Sequence, residues 1–226
     1  MKIKSVLLLG LGGTGSFLIE PLCRLLKESQ VYVMDGDFYS KKNENRQSLN
    51  HKFNKATATK LKLKKANLNV SLVPNYISEH NISDIFDKLE EPCVIINSVD
   101  KDYVRKLTLE KLREAKKDYI WISPGNDYSD GQVNTVISKS GKEITNDPLT
   151  RYDNLANPKD TSPDNDCIEE SEQRPQLLVA NYGAAWITLC VLNSIIEDLS
   201  IKEELLYDCE KFKIRGNFLC QVQNTT

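Results

Sequence analysis

A chain of 226 residues is long enough to bury one substantial core. Its 30 Lys and Arg against 32 Asp and Glu leave a formal net charge of −2, which offers no electrostatic basis for binding nucleic acid. Six cysteines scattered without a closely spaced pair, beside only two histidines, argue against a zinc site and a disulfide scaffold and suit a reducing cytosol.

The start, Met1-Lys2-Ile3-Lys4 and an apolar run, has the outline of a signal peptide. Gly10, Gly12, Gly13 and Gly15 interrupt its apolar part, and Glu20 and Arg24 follow. No later stretch reads as a membrane span. The expectation is a soluble, cytoplasmic protein with neither membrane nor nucleic acid as partner. Cys23, Cys93 and Cys190 lie in apolar periodic segments and read as small core residues. The lysines from Lys52 to Lys65 read as a solvated helix face.

In chain order, Ser5–Leu9 predicts a buried strand. Thr14–Glu28 predicts a helix with Phe17, Leu18, Leu22, Leu25 and Leu26 on one stripe and an irregularity at Pro21. Strand Val31–Met34 follows, then a polar stretch, a helix from about Lys55 to Ala66, strand Val70–Val73 and helix Ile82–Leu89. Val94–Asn97 reads as a strand, Tyr103–Ala115 as a helix and Tyr119–Ser123 as a strand. Strands spaced by helices predict an α/β, doubly wound, mainly parallel sheet. The pattern changes after Pro124-Gly125-Asn126. Gly131–Ile137 alternates, and Ser140-Gly141-Lys142 turns it into a hairpin with Glu143–Ile144, the start of an antiparallel C-terminal portion. The polar stretch at about 146–175, with Pro148, Pro158, Pro163 and Pro175, reads as a long flexible loop. Leu177–Ile196 is the most apolar helix of the second half, and Leu205–Val222 has strand-like runs. Residues 1–226 are expected to form a single domain.

The chemistry begins at Gly10-Leu11-Gly12-Gly13-Thr14-Gly15, directly behind the first strand. Asp35-Gly36-Asp37 stands directly behind the second. Glycine lets backbone approach phosphates, the following helix aims its N–H groups at anionic oxygens, and a carboxylate after the second strand can accept from ribose hydroxyls. This predicts a nucleotide site without saying which nucleotide. Further along come Asn43-Glu44-Asn45-Arg46-Gln47, Asn54-Lys55-Ala56 and Ser98-Val99-Asp100 with Arg105. Singly these have plain explanations, and Asp100 reads equally well as a helix N-cap.

As an ordered set these residues resemble the ThiF/MoeB family of adenylyltransferases, which activate ubiquitin-like and sulfur-carrier proteins. The family pattern is a GxGGxG turn (Gly10, Gly12, Gly13, Gly15), a D-x-D (Asp35, Asp37), N-x-x-R-Q (Asn43, Arg46, Gln47), a helix-opening lysine (Lys55) and D-x-x-x-x-R (Asp100, Arg105). The resemblance covers about residues 4 to 137, with fainter echoes near Gln176 and Asn181. The compact size and the Gly-Asn…Gly-Gln-Val stretch look most like small stand-alone bacterial members. It implies a Rossmann-like fold and ATP and Mg²⁺ as cofactors. It also implies, as substrate, the C-terminal glycine carboxylate of a small ubiquitin-like or sulfur-carrier protein, and a homodimer. Asn43 and Gln47 would line the nucleotide, Arg46 would fork onto phosphate, Lys55 would add a point charge, and Asp100 would hold the metal. The segment before Lys55 is shorter than the family pattern, so Lys60 stands as its alternative.

Some relatives pass the activated carboxylate to a cysteine. Cys167, within Asp164–Glu170, is the candidate for such a thioester. Neighbouring carboxylates disfavour its thiolate, and an incidental loop cysteine is the competing reading. Trp121, Gly125-Asn126 and Gly131-Gln132 read either as a channel for the partner's tail or as an ordinary sheet edge and turn. Two rivals remain at this level: an NAD-dependent oxidoreductase on the same fold, and a nucleotide-binding scaffold without turnover. An oxidoreductase has no use for the additional Arg, Lys and Asp, and a scaffold has no reason to cluster them.

Overall fold

The computed structural model describes residues 2–40, 47, 53–159 and 176–221. Five parallel strands come first: β1 (Ser5–Leu9), β2 (Gln30–Met34), β3 (Ser71–Val73), β4 (Cys93–Asn97) and β5 (Tyr119–Asn126). They alternate with helices α1 (Gly13–Leu25), α2 (Lys55–Lys65), α3 (Ile82–Phe86) and α4 (Asp102–Ala115). Then follow β6 (Asp130–Lys139), β7 (Lys142–Glu143), a 3₁₀ turn (Pro148–Thr150), α5 (Asp153–Ala156), α6 (Leu178–Ile196), β8 (Ser200–Asp208) and β9 (Lys213–Gln221). One sheet joins the described strands in the order β3-β2-β1-β4-β5-β6-β8-β9, with β7 beside β6. Pairing is parallel from β3 through β5 and antiparallel from β5 onward. The Rossmann-like α/β architecture with an antiparallel C-terminal portion is thus present.

The core explains why β1 reads as one unbroken apolar run. Val6 and Leu8 pack into the layer formed with α1, α2 and α6, while Leu7 and Leu9 pack into the layer formed with α3 and α4. A parallel strand covered on both faces has no polar side, so nothing in it alternates. Burying one such leucine stabilises the fold by about 1.5–3 kcal/mol.

Most expected elements stand within a few residues, and four expectations are corrected. First, Leu178–Ile196 is long and apolar enough to cross a membrane by length and composition alone, although no such stretch was expected. Its inner face, including Ala180, Ala184, Val191 and Leu192, is buried against α1 and the sheet. Second, Cys190 is exposed rather than core, because it falls on the outer side of that helix; Cys23 and Cys93 are buried as expected. Third, part of the presumed loop is ordered. Asp147 caps the 3₁₀ turn, Asn154 Nδ2 donates to Asp102 Oδ2 at 2.6 Å, and Lys106 Nζ donates to the Ala156 carbonyl at 2.8 Å. Residues 160–175 lie outside the described set. Fourth, β5 runs on through Pro124-Gly125-Asn126 because β6 pairs with it throughout.

The chain turns from β1 outward to β2 and β3, then returns to place β4 on the other side of β1. A crevice opens where neighbouring connections diverge in this way, at the carboxyl ends of the strands. The glycine turn, Asp35, Asp100 and Asn126 all follow or end strands at this rim.

Candidate nucleotide site

Gly10 leaves β1 with φ +84°, a conformation that favours glycine, and its N–H donates to the Met34 carbonyl at 2.9 Å. Ser98 Oγ donates to the carbonyls of Leu9 and Gly10, both at 2.8 Å, which joins the end of β4 to the turn. Gly13 is a contact glycine: a Cβ there would stand 1.9 Å from Asn181 Oδ1 on α6. Gly15, one turn into α1, lies against the Gly10 carbonyl. Gly12 is different, since a Cβ there would meet nothing within 4 Å. It occupies the N-cap of α1, which has no side-chain cap and no acidic residue in its first turn. Among the described residues, the positive end of the helix therefore faces space that none of them fills, beside a residue without a side chain, an arrangement that suits an anion.

At the end of β2, Asp35 Oδ2 accepts from Leu11 N–H at 2.6 Å and Oδ1 accepts from Asp37 N–H at 2.8 Å. Burial pushes the Asp35 carboxyl up, and the Lys55 charge with the two backbone donors offsets only part of that. Asp37 Oδ2 pairs with Lys55 Nζ at 2.7 Å, and Asp37 Oδ1 accepts from the Tyr76 hydroxyl. Burial raises the Asp37 carboxyl, but the Lys55 and Tyr76 hydrogen bonds and the Lys55 and Lys101 charges more than reverse this and hold it below the usual carboxylate range. Lys55 is buried whereas Lys60 is exposed on α2, so Lys55 is the lysine that reaches the D-x-D carboxylates.

Sequence reasoning missed the parts that fasten this corner. Asn54 Oδ1 accepts from Ala56 N–H at 2.9 Å and Thr57 N–H at 3.3 Å, capping α2. Its Nδ2 donates to the carbonyls of Asp35 at 3.1 Å and Asp37 at 3.0 Å. An asparagine before a helix-opening lysine was the available signal. Tyr76, whose ring covers Gly36, had none.

Asp100 is exposed just beyond β4, and the N-cap of α4 is Lys101, which removes the capping explanation for Asp100. Arg105 organises this loop: Nε donates to the Val99 carbonyl at 3.0 Å and Nη2 to the Pro124 carbonyl at 3.2 Å. Asn43, Arg46 and Cys167 lie outside the described residues. Gln47 is described, and its Oε1 is buried without a hydrogen-bond partner among the described residues. Trp121 does not shape a channel: it is fully buried and its Nε1 donates to Thr108 Oγ1 at 3.2 Å. Gly131 belongs to the sheet, tight against the Gly125 carbonyl and the Tyr207 hydroxyl.

The model of the ThiF family matches residues 1–207. The chain belongs to the ThiF family. Among solved structures it is similar to PaaA, with a TM-score of 0.66 and 15% identity over 98% of this chain and 64% of that one. It is similar to E. coli MccB with ATP, at TM-score 0.67 and 17% identity over 96% of this chain and 64% of that one. The microcin C7 biosynthetic enzyme MccB in complex with N-formylated MccA gives TM-score 0.68 and 17% identity with the same coverages. The chain thus spans less than two thirds of the length of these structures. No functionally curated protein matches it.

Two measurements probe this ThiF-family site. Gly13→Ala must displace Asn181 and is expected to lower the melting temperature more than Gly12→Ala, whereas Gly12→Ala is the one that weakens ATP binding. Equal ATP affinity for Gly12→Ala and wild type, by titration calorimetry, would reject the anion site. For Asp37, a lowered folded pKa means stability that is present above the unfolded pKa and lost as pH falls through the folded one. The stability advantage of wild type over Asp37→Asn is expected to be full near pH 7 and to shrink below about pH 4. Urea midpoints that differ by a constant amount down to about pH 2.5 would contradict that pairing.

Proposed function

We propose that this ThiF-family chain is an adenylyltransferase. It uses ATP to activate the C-terminal carboxylate of a small ubiquitin-like or sulfur-carrier protein, in the cytoplasm, with release of pyrophosphate. The observation that carries the reading is the uncapped N-terminus of α1, open at Gly12, with the Asp35–Asp37–Lys55 corner on one side and exposed Asp100 on the other. The complexes of MccB with ATP and with N-formylated MccA support a nucleotide and a polypeptide as the two substrates.

In this reading Asp35 accepts from ribose hydroxyls and the α1 N–H groups receive phosphate. Lys55 leaves Asp37 to add its charge there, beside Arg46. Among the described residues no cluster of three potential metal ligands exists, so a magnesium ion here would take one carboxylate oxygen from the protein and complete its shell with phosphate oxygens and water. Asp100 would hold that ion, which neutralises phosphate charge when bound. The substrate carboxylate, already ionised at pH 7, needs no general base. One of its oxygens forms a bond to the α-phosphorus while the bond to the bridging oxygen breaks, and pyrophosphate departs with that electron pair. The protein contributes positioning and electrostatics.

We also read the protein as a homodimer. Leu178, Val179, Tyr182 and Trp186 are exposed on α6, with Phe17 stacked on Tyr182 at 4.1 Å, an apolar surface that a second copy would cover. Light scattering is expected to give twice the 25.7 kDa of the chain; a monomer at micromolar concentration would reject this.

Exchange of labelled pyrophosphate into ATP, dependent on a small protein ending in glycine, tests the main reading. Asp100→Ala is expected to reduce exchange by at least 100-fold with the circular dichroism spectrum retained. Unchanged exchange removes Asp100 from the metal role. Tight NAD binding with no exchange for any glycine-ended carrier points instead to the oxidoreductase.

A further inference from the structure

Asn126 ends β5 on the rim that carries the nucleotide residues, and its side chain lies between α1 and α6. Oδ1 accepts from the Thr14 hydroxyl, in the first turn of α1, at 3.3 Å. The backbone carbonyl of Asn126 accepts from Gln176 Nε2 at 3.0 Å. Among the described residues Nδ2 makes only long contacts, 3.4 Å to Asn181 Oδ1 and 3.5 Å to the Asp127 carbonyl. These are beyond the ordinary range for an N–H donor. The Thr14 contact is itself long for an O–H donor, so among the described residues both ends of the amide are only weakly engaged, the acceptor toward α1 and the donor toward α6. Arg105, which grips the Pro124 carbonyl, brings a guanidinium beside the same stretch of β5: its Nη1 is 3.1 Å from where a Cβ on Gly125 would stand.

The strand order says what this donor faces. β2, β1, β4 and β5 are consecutive neighbours, spaced by about 4.8 Å each. Along the rim stand Asp35, then the glycine turn, then Ser98–Asp100, then Asn126. A nucleotide with its ribose at Asp35 and its phosphates over α1 runs along this line from the β2 side. The side left for the attacking group is that of β5.

The geometry points to Asn126 as the residue that holds the acceptor carboxylate, Nδ2 donating to the oxygen that does not attack phosphorus. This assignment rests on the adenylation reading. A donor without charge orients the anion without trapping it as an ion pair. The Thr14 contact places acceptor and phosphate cradle on one hydrogen-bonded path.

The test uses two probes that need no knowledge of the carrier protein: AMP, which lacks an acyl group, and 5′-O-(N-glycylsulfamoyl)adenosine, which mimics a glycyl adenylate. Titration calorimetry on the full chain is expected to show that Asn126→Ala weakens the acyl analogue about tenfold, the loss of one hydrogen bond, and AMP less than twofold. Asn126→Asp keeps an acceptor for Thr14 but replaces the donor with a negative charge. It is expected to weaken the analogue further while holding the melting temperature, so it decides the matter should the alanine variant fold poorly. Equal weakening of both probes, or of neither, overturns the assignment. A wild-type chain that binds AMP but gains nothing from the acyl group overturns the adenylation reading itself, and the assignment with it.

Discussion

The carboxylate of Asp35 holds together two loops that no strand pairing joins. One oxygen takes the Leu11 N–H of the glycine turn and the other takes the Asp37 N–H of its own loop. Desolvation opposes an ion in this place, which is why its pKa rises. The two donors and Lys55 provide the compensation. Asn54 then clamps the carbonyls of Asp35 and Asp37 and starts α2, which places Lys55 beside Asp37. The glycine turn, the second strand end and the α2 lysine form one unit because a single buried carboxylate is shared between backbones.

That unit is incomplete by itself. The start of α1 has no side-chain cap among the described residues and no acidic side chain in its first turn, and helix ends left this way normally find a partner. Any anion seated there binds the folded state and not the unfolded one. Occupancy would therefore raise stability by mass action, by about 2.7 kcal/mol at one hundred times the dissociation constant. Elsewhere the fold is anchored by apolar packing on both faces of β1 and β4.

How much of this was legible in the chain depends on distance. The glycine turn, Asp35 and the alternation of strands and helices are local patterns, and they stand where the sequence puts them. The two readings of Trp121 could not be separated in the sequence because an aromatic in a strand looks the same whether it lines a channel or fills a core; Thr108, thirteen residues earlier, decides for the core. Cys190 was misplaced because α6 is apolar all round, which erases the period that separates buried from exposed positions. Tyr76 and the Thr14–Asn126–Asn181 contacts join residues tens to more than a hundred positions apart. No spacing rule reaches that far. The ordered part of the polar stretch near Asn154 depends on α4 in the same way.

β5 is the strand at which parallel pairing gives way to antiparallel pairing, and the two halves of the sheet answer to different rules of growth. A parallel strand can be added only with a crossover helix threaded over a covered face, so the half from β3 to β5 is locked by its own wiring. Beyond β5 the strands β6, β7 and β9 each follow the preceding strand through a hairpin, whereas β8 arrives only after α6 has packed back on the sheet; the β8–β9 hairpin at the open edge can be lengthened or trimmed without rethreading anything. The parallel half is thus fixed by its wiring, and the hairpin at the far edge is the part of this sheet that can vary in length without disturbing the rest.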